Sequence, residues 1–265
     1  MVDKINLDNL SSEESKIDLS DYLVSPEFEV PRPIPILSVI QNGFVIDIFT
    51  EENISMIQGQ AKAKKSFFIK SICEGILKGN NKLSSNYQRN EIAIIDTEQS
   101  TYHCYMAVRS VKYMTGKTIS YFSVAELNSS QKMSLVETFL KANPNCGFLI
   151  LDNIVHFLNN FNDVEESSLV TQWLVKIKKL YNVHICTVLH ENAGESGKAR
   201  GHLGTNLKNL CETIIKIQID RNNKSKSIIS AEATRGRDFE SFAIEIDGQG
   251  MPFLSDYSEY SNGKF

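Results

Sequence analysis

Gly59-Gln60-Ala61-Lys62-Ala63-Lys64-Lys65-Ser66 separates an apolar run ending at Ile57 from the helically spaced segment Ser66 to Leu77, and its reading governs the rest of the chain. In the phosphate-loop pattern G-x-x-x-x-G-K-[ST], glycines let backbone N–H groups close around a phosphate. The lysine neutralises charge and the hydroxyl reaches Mg²⁺. Gly59, Lys65 and Ser66 occupy pattern positions, while Gln60, Ala61, Lys62, Ala63 and Phe67 complete the loop and its helical exit. Lys64 stands where the second glycine belongs, so either the loop relaxes or this lysine turns outward as an extra cation. A nucleotide is the first ligand to consider, and the departure bears on hydrolysis more than on binding. Taken alone, a stretch this short also describes an ordinary strand–loop–helix junction with three solvated lysines.

Composition narrows the class. With 265 residues and 42% hydrophobic content, the chain can bury a core in one large α/β domain with an appendage. Cys73, Cys104, Cys146, Cys186 and Cys211 are scattered without a C-x-x-C pair, and several lie in apolar runs. Reduced, buried thiols are expected rather than zinc ligands or disulfides. No apolar run approaches the ~18 residues of a spanning helix. The N-terminus is acidic and lacks a signal-type core, so the expectation is a cytoplasmic protein without a membrane partner. Residues 1–30 hold eight acids against Lys4 and Lys16, which leaves 26 basic and 24 acidic residues from Pro31 onward. A nearly neutral body implies that any nucleic-acid contact comes from local loops.

Residues 1–35 read as an acidic arm with a proline-rich connector, and residues 36–265 as the compact domain. The arm carries a capping-box pattern at Ser11 to Glu14. Pro31, Pro33 and Pro35 then impose an extended path, since each lacks a donor and biases its predecessor away from helix. Beyond them, apolar runs at Ile54–Ile57, Ile92–Asp96, Ile119–Ser123, Gly147–Asp152 and His184–His190 alternate with helical spacing at Ser66–Leu77, Ser100–Met114, Ser130–Ala142 and Val164–Tyr181. That alternation predicts an α/β fold with a mainly parallel central sheet covered on both faces. In the last helix, Leu169, Trp173, Leu174, Ile177 and Leu180 mark the face expected on the sheet. A short helix near Leu207–Cys211 and three strands, Thr213–Asp220, Ser227–Ala233 and Ser241–Ile246, read as antiparallel additions at one edge.

Ligands of open parallel sheets bind beyond the carboxyl ends of the strands. Four runs end in the phosphate loop, in Asp96-Thr97-Glu98, in Asp152-Asn153 and in His190-Glu191-Asn192. Asp152, closing Gly147-Phe-Leu-Ile-Leu, suits a metal-side carboxylate next to Ser66, or else a cap for the following helix. Glu98 suits a base that aligns an attacking water, or else a first-turn glutamate favoured by a helix dipole.

In this order the pieces resemble the RecA-like P-loop ATPases, whose second strand carries a D-x-E-type segment with the catalytic glutamate. Arg200-Gly-His-Leu-Gly-Thr-Asn-Leu-Lys-Asn-Leu-Cys-Glu-Thr-Ile-Ile215 further resembles a segment of ring-shaped replicative helicases of the DnaB-like, RepA-like and phage helicase-primase groups. The likeness spans Ile46 to Phe253 and implies a RecA-like three-layer fold, ATP and Mg²⁺ as ligands, and a hexameric homo-oligomeric ring on single-stranded DNA. It further implies that His190 senses the γ-phosphate and that Lys198 and Arg200, in the glycine-rich loop Glu191–Thr205, face DNA. Ala233-Thr-Arg235-Gly-Arg237 resembles the K-x-R segment that projects an arginine finger into the neighbouring subunit. Arg235 matches that arginine, Ala233 replaces the lysine, and Arg237 is the fallback. The lysine-rich loop looks most like a RepA-related, AAA-type subgroup of plasmids, phages and conjugative elements, with replication proteins as further partners. Two other classes fit the same residues: a nucleotide-binding switch with little hydrolysis, and a recombinase-type DNA-loading ATPase.

Overall fold

The structure is a computed structural model that describes residues 23–191 and 201–257. Its backbone divides into two units, Met1–Arg32 and Pro33–Phe265. In the first, Phe28 N–H closes a turn on Ser25 O at 3.0 Å; the Ser11–Glu14 pattern lies outside the described residues.

In the second unit, nine strands form one sheet among the described residues. The parallel part contains β3 (Ile54–Gly59), β5 (Glu91–Asp96), β6 (Ser120–Ser123), β7 (Cys146–Asp152), β8 (His184–His190) and β9 (Thr213–Ile219). Antiparallel β10 (Ser227–Thr234), β11 (Phe242–Ile246) and β12 (Pro252–Asp256) extend it, giving the order β12-β11-β10-β9-β3-β8-β7-β5-β6. The strand at Thr213 is therefore parallel to β3, not one of the antiparallel additions, and β12 is an extra strand that the apolar runs do not announce.

The apolar runs are continuous because each strand buries both faces. Ile92, Ile94, Phe148 and Ile150 face α1 (Lys65–Leu77) and α2 (Thr101–Thr115), whereas Ala93, Ile95, Leu149 and Leu151 face α3 (Ser129–Ala142), α4 (Val164–Tyr181) and α5 (Gly201–Leu210). On α4 the buried stripe is Val170, Leu174 and Ile177, and Leu169 and Leu180 are exposed. The helix is thus rotated from the face its leucines mark: Trp173 lies at the margin, stacks on Phe157 and donates to Glu137 at 2.8 Å.

A hairpin precedes the central sheet. β1 (Pro35–Gln41) and β2 (Phe44–Thr50) pair antiparallel around Asn42-Gly43, both at positive φ, as a two-residue primed turn requires. With β4 (Leu83–Ser84) they make a second small sheet that packs Leu37 and Leu83 against Gly75 of α1. A Cβ on Gly75 would lie 2.7 Å from that of Leu83, so only glycine permits this approach.

Arg89 clamps the end of the sheet opposite the phosphate loop. Its guanidinium donates to the carbonyls of Pro144, Cys146, Tyr181 and Asn182 and pairs with Glu51 at 3.3 Å. Arg89→Ala leaves these carbonyls without a donor, and we expect a loss of about 2–3 kcal/mol in urea unfolding. Arg89→Lys recovers little of it, because an ammonium cannot reproduce the planar fork.

Candidate functional site

Strand register aligns the four polar ends. Gly59 of β3 lies opposite His190 of β8, and Asp96 of β5 opposite Asp152 of β7. The loop after β3 and the start of α1 close one side of a cavity of about 440 Å³ lined by Lys62, Lys64, Lys65, Ser66, Phe67, Glu98, Gln99, Asp152, His190 and Ile246. That volume is within the usual range for a small-molecule pocket.

Gly59 has no room for a side chain, since a Cβ would meet Ile217 O at 2.3 Å. Lys62 and Lys64 take φ of 65° and 66°, left-handed values that side chains rarely adopt. Lys64 therefore keeps the backbone a glycine would give. Its ammonium turns to the β9–β10 connection, 3.2 Å from Lys224 O and 3.3 Å from Ser227 Oγ. Of the two outcomes open to Lys64, the lysine turns outward and the loop does not relax. Gln60 and Ala61 are exposed on the loop, Ala63 is buried beneath it, and Ser66 and Phe67 open α1. First-turn N–H groups of a helix lack intrahelical acceptors and favour an anion.

Lys65 is buried and donates to Gly59 O and Gln60 O at 2.9 Å each and to His190 Nδ1 at 3.0 Å. Because His190 accepts at Nδ1, its Nε2–H faces Glu98 Oε2 at 3.3 Å. Asn153 Nδ2 donates to Glu98 Oε1 at 3.0 Å. The His190 hydrogen bond, opposed by burial and assisted by Asn153, holds the Glu98 carboxyl down at about 2. Burial lowers the Lys65 ammonium, against the pull of Asp152, Glu98 and Glu191.

Asp152 behaves oppositely. Burial, then repulsion from Asp96 and Glu98, pushes its carboxyl up to about 7, with only Lys65 opposing. Its carboxylate makes no hydrogen bond among the described residues and faces the cavity with Ser66. The following helix, the 3-10 turn Ile154–Phe157, is capped by Asn153, whose side chain accepts from Val155 N–H, so Asp152 is not the cap. Nor is Glu98 in a first helical turn, for α2 begins at Thr101 behind Ser100.

Several residues at the site carry no motif. Asp96 accepts from Glu98 N–H, Gln99 N–H and Tyr121 O–H at 3.0, 2.8 and 2.7 Å, fixing the turn that presents Glu98. Asn153 and His156 also converge on this turn, since three residues make one 3-10 turn and eclipse each other. The one sequence signal for the pair is that spacing, three residues apart just beyond Asp152.

Arg235 lies elsewhere. Its N–H donates to Glu212 O at 2.8 Å, and Glu212 N–H in turn to Ile54 O at 2.8 Å, which places Arg235 beside the start of β3. Gly59 ends that strand, roughly 17 Å away at the rise of a β-strand, so Arg235 cannot reach the cavity of its own chain. Its exposed side chain donates to Leu210 O at 3.1 Å. Arg237 lies 4.8 Å over the Phe44 ring. Lys198 and Arg200 lie outside the described residues.

Solved structures share this architecture. The RadB recombinase matches with a TM-score of 0.55 at 15% identity, over 79% of this chain and 93% of that one. A KaiC-like protein from the hyperthermophilic archaeon Pyrococcus horikoshii matches at 0.57 and 15%, over 79% and 91%. The fold is RecA-like. The ATPase domain of a DnaB-like protein matches at 0.57 and 10% identity, over 78% of this chain and 85% of that one. No protein-family model matches the sequence, and no curated protein does. Within this RecA-like frame, the cavity of Lys65, Glu98, Asp152 and His190 sits at the carboxyl ends of the central parallel strands, where open α/β sheets take ligands.

Proposed function

We propose that the chain is an ATPase that assembles head to tail into a ring and moves along single-stranded DNA during replication of a plasmid, phage or conjugative element. The observation that carries this reading is the convergence of Lys65, Ser66, Glu98, Asp152 and His190 on one cavity from four strand ends. Ser66 and Asp152 suit Mg²⁺: a hydroxyl and a carboxylate whose raised proton affinity a cation would relieve. Bound there, the ion would neutralise charge on the β- and γ-phosphates.

The chain's own residues supply the rest. A phosphate in the loop competes for the Lys65 ammonium now held by Gly59 O, Gln60 O and His190. Released from Lys65, His190 can donate to the γ-phosphate, which frees the Glu98 oxygen it holds. Glu98 at about 2 is too weak a base. Loss of its main hydrogen bond raises its proton affinity when nucleotide is present. Glu98 then takes a proton from the attacking water as the new P–O bond forms and the bond to the ADP oxygen breaks.

Steady-state ATP turnover with and without single-stranded DNA tests this on wild type, Glu98→Gln and Arg235→Ala. DNA-stimulated turnover lost in both variants is the expected result; tight ATP binding without turnover under any condition overturns the motor in favour of a nucleotide switch. The glycine-like backbone at Lys64 speaks against a spoiled loop. Lys64→Gly is expected to leave turnover within about threefold of wild type, because the substitution relieves left-handed strain without redirecting the chain. A gain of about tenfold or more would identify Lys64 as a brake.

A further inference from the structure

We propose that His156 is a positioning residue for Glu98, keeping one carboxylate oxygen in place when His190 turns to the phosphate; this rests on the ATPase reading above. His156 follows β7 on the 3-10 turn, and its Nδ1 lies 2.8 Å from Thr97 Oγ1. Thr97 is buried at the end of β5 and doubly fixed: its N–H donates to Asp152 O at 2.7 Å, and its hydroxyl oxygen accepts from Asn153 N–H at 2.9 Å. The ring therefore has a rigid anchor at Nδ1. Its Nε2 faces Glu98 Oε1 at 3.9 Å.

The two oxygens of Glu98 thus have separate keepers. Oε2 belongs to His190, whose other nitrogen is tied to Lys65 and hence to the occupancy of the loop. Oε1 belongs to Asn153 at 3.0 Å and has His156 beside it, anchored to Thr97 and not to the loop. A distance of 3.9 Å is too long for a hydrogen bond. A shift of about 1 Å by Glu98, once Oε2 is released, brings Nε2–H into range. His156 would then hold the base over the water's path while adding one charge-assisted contact that the nucleotide-free state lacks.

The test is kcat and KM for ATP in wild type, His156→Ala and His156→Gln, with unfolding midpoints measured alongside. We expect His156→Ala to lower kcat about tenfold with KM within about twofold, the scale of one lost orienting contact. Glutamine, whose amide N–H can replace Nε2–H, should restore most of the loss. Alanine with unchanged kcat, glutamine no better than alanine, or a loss that tracks the unfolding midpoint would each overturn the role. A second readout needs no turnover: the ¹⁵N signal of His156 Nε2 compared between wild type and Glu98→Gln. A shift supports the contact and an unchanged signal removes it, so the proposal remains testable even if wild type proves unable to hydrolyse ATP and the ATPase reading falls.

Discussion

Mixing Glu98→Gln subunits with Arg235→Ala subunits should restore ATP turnover that neither variant shows alone. Each substitution by itself is expected to cost roughly 10³-fold, Glu98→Gln by removing the base and Arg235→Ala by removing charge stabilisation of the transferring phosphoryl group. Arg235 stands beside the start of β3 and Lys65 just past its end. A cavity can therefore meet an Arg235 only from another copy whose opposite end is turned toward it, the relation that head-to-tail association repeats around a ring. At equal mixing, about a quarter of the interfaces pair an intact Glu98 with an intact Arg235, so about a quarter of wild-type turnover returns if sites act independently. Turnover that stays at the level of the parents would sink the shared site. Full activity in Arg235→Ala alone would shift attention to Arg237, which now lies 4.8 Å over the Phe44 ring.

The legible parts of this chain are those where local chemistry and tertiary demand coincide. β8 (His184–His190) and α4 (Val164–Tyr181) have the bounds their patterns predict, because a strand buried on both faces must be apolar throughout and Asp163 caps α4 where its periodicity starts. The hairpin before β3 is harder to see, since the run of prolines draws the eye to a connector; yet Asn42-Gly43 between apolar runs is the pattern that a two-residue turn demands. β9 misleads for a different reason. Strand direction is set by which neighbour a strand meets, and nothing within Thr213–Ile219 says that it returns beside β3 before the antiparallel strands begin. The face of α4 misleads because leucines mark apolar surface without saying whether it is covered: Leu169 and Leu180 are exposed, and Ser167 is buried.

At the site, residues with a motif stand out in the sequence and residues that serve them do not. Lys65, Glu98, Asp152 and His190 follow apolar runs, so the rule about strand ends locates them before any coordinates. Asn153, His156 and Thr97 act through side-chain geometry over a short turn, and their types are common in any loop. Arg235 is the reverse case. Its sequence likeness points to a neighbour's site, and only the pairing of β10 with β9 reveals that it lies at the far end of the sheet.

Asp152→Asn should stabilise the nucleotide-free protein while abolishing its response to Mg²⁺-nucleotide. The folded chain pushes this carboxyl from 3.8 up to about 7, chiefly through burial and then through Asp96 and Glu98. A raised acid binds its proton more tightly folded than unfolded, so ionising it costs stability. The cost is absent below about pH 4, grows as pH rises toward 7, and is complete above it. A rise of that size sets a ceiling of about 4 kcal/mol, and Lys65 loses some attraction when the charge goes. We therefore expect a gain of about 1–3 kcal/mol at pH 8, read as a rise of about 3–10 °C in Tm, and a smaller gain at about pH 5. Wild type should gain Tm on adding ATP with Mg²⁺ and lose most of that gain in EDTA, whereas the variant should respond equally with or without the metal. A Tm that falls at pH 8 would mean that the Asp152 carboxylate supports the fold. With Asn153 already capping the 3-10 turn and no hydrogen bond to the Asp152 carboxylate among the described residues, the structure gives that charge no such work. Stability given up at one carboxylate in the absence of ligand is the behaviour expected of a position kept for a cation.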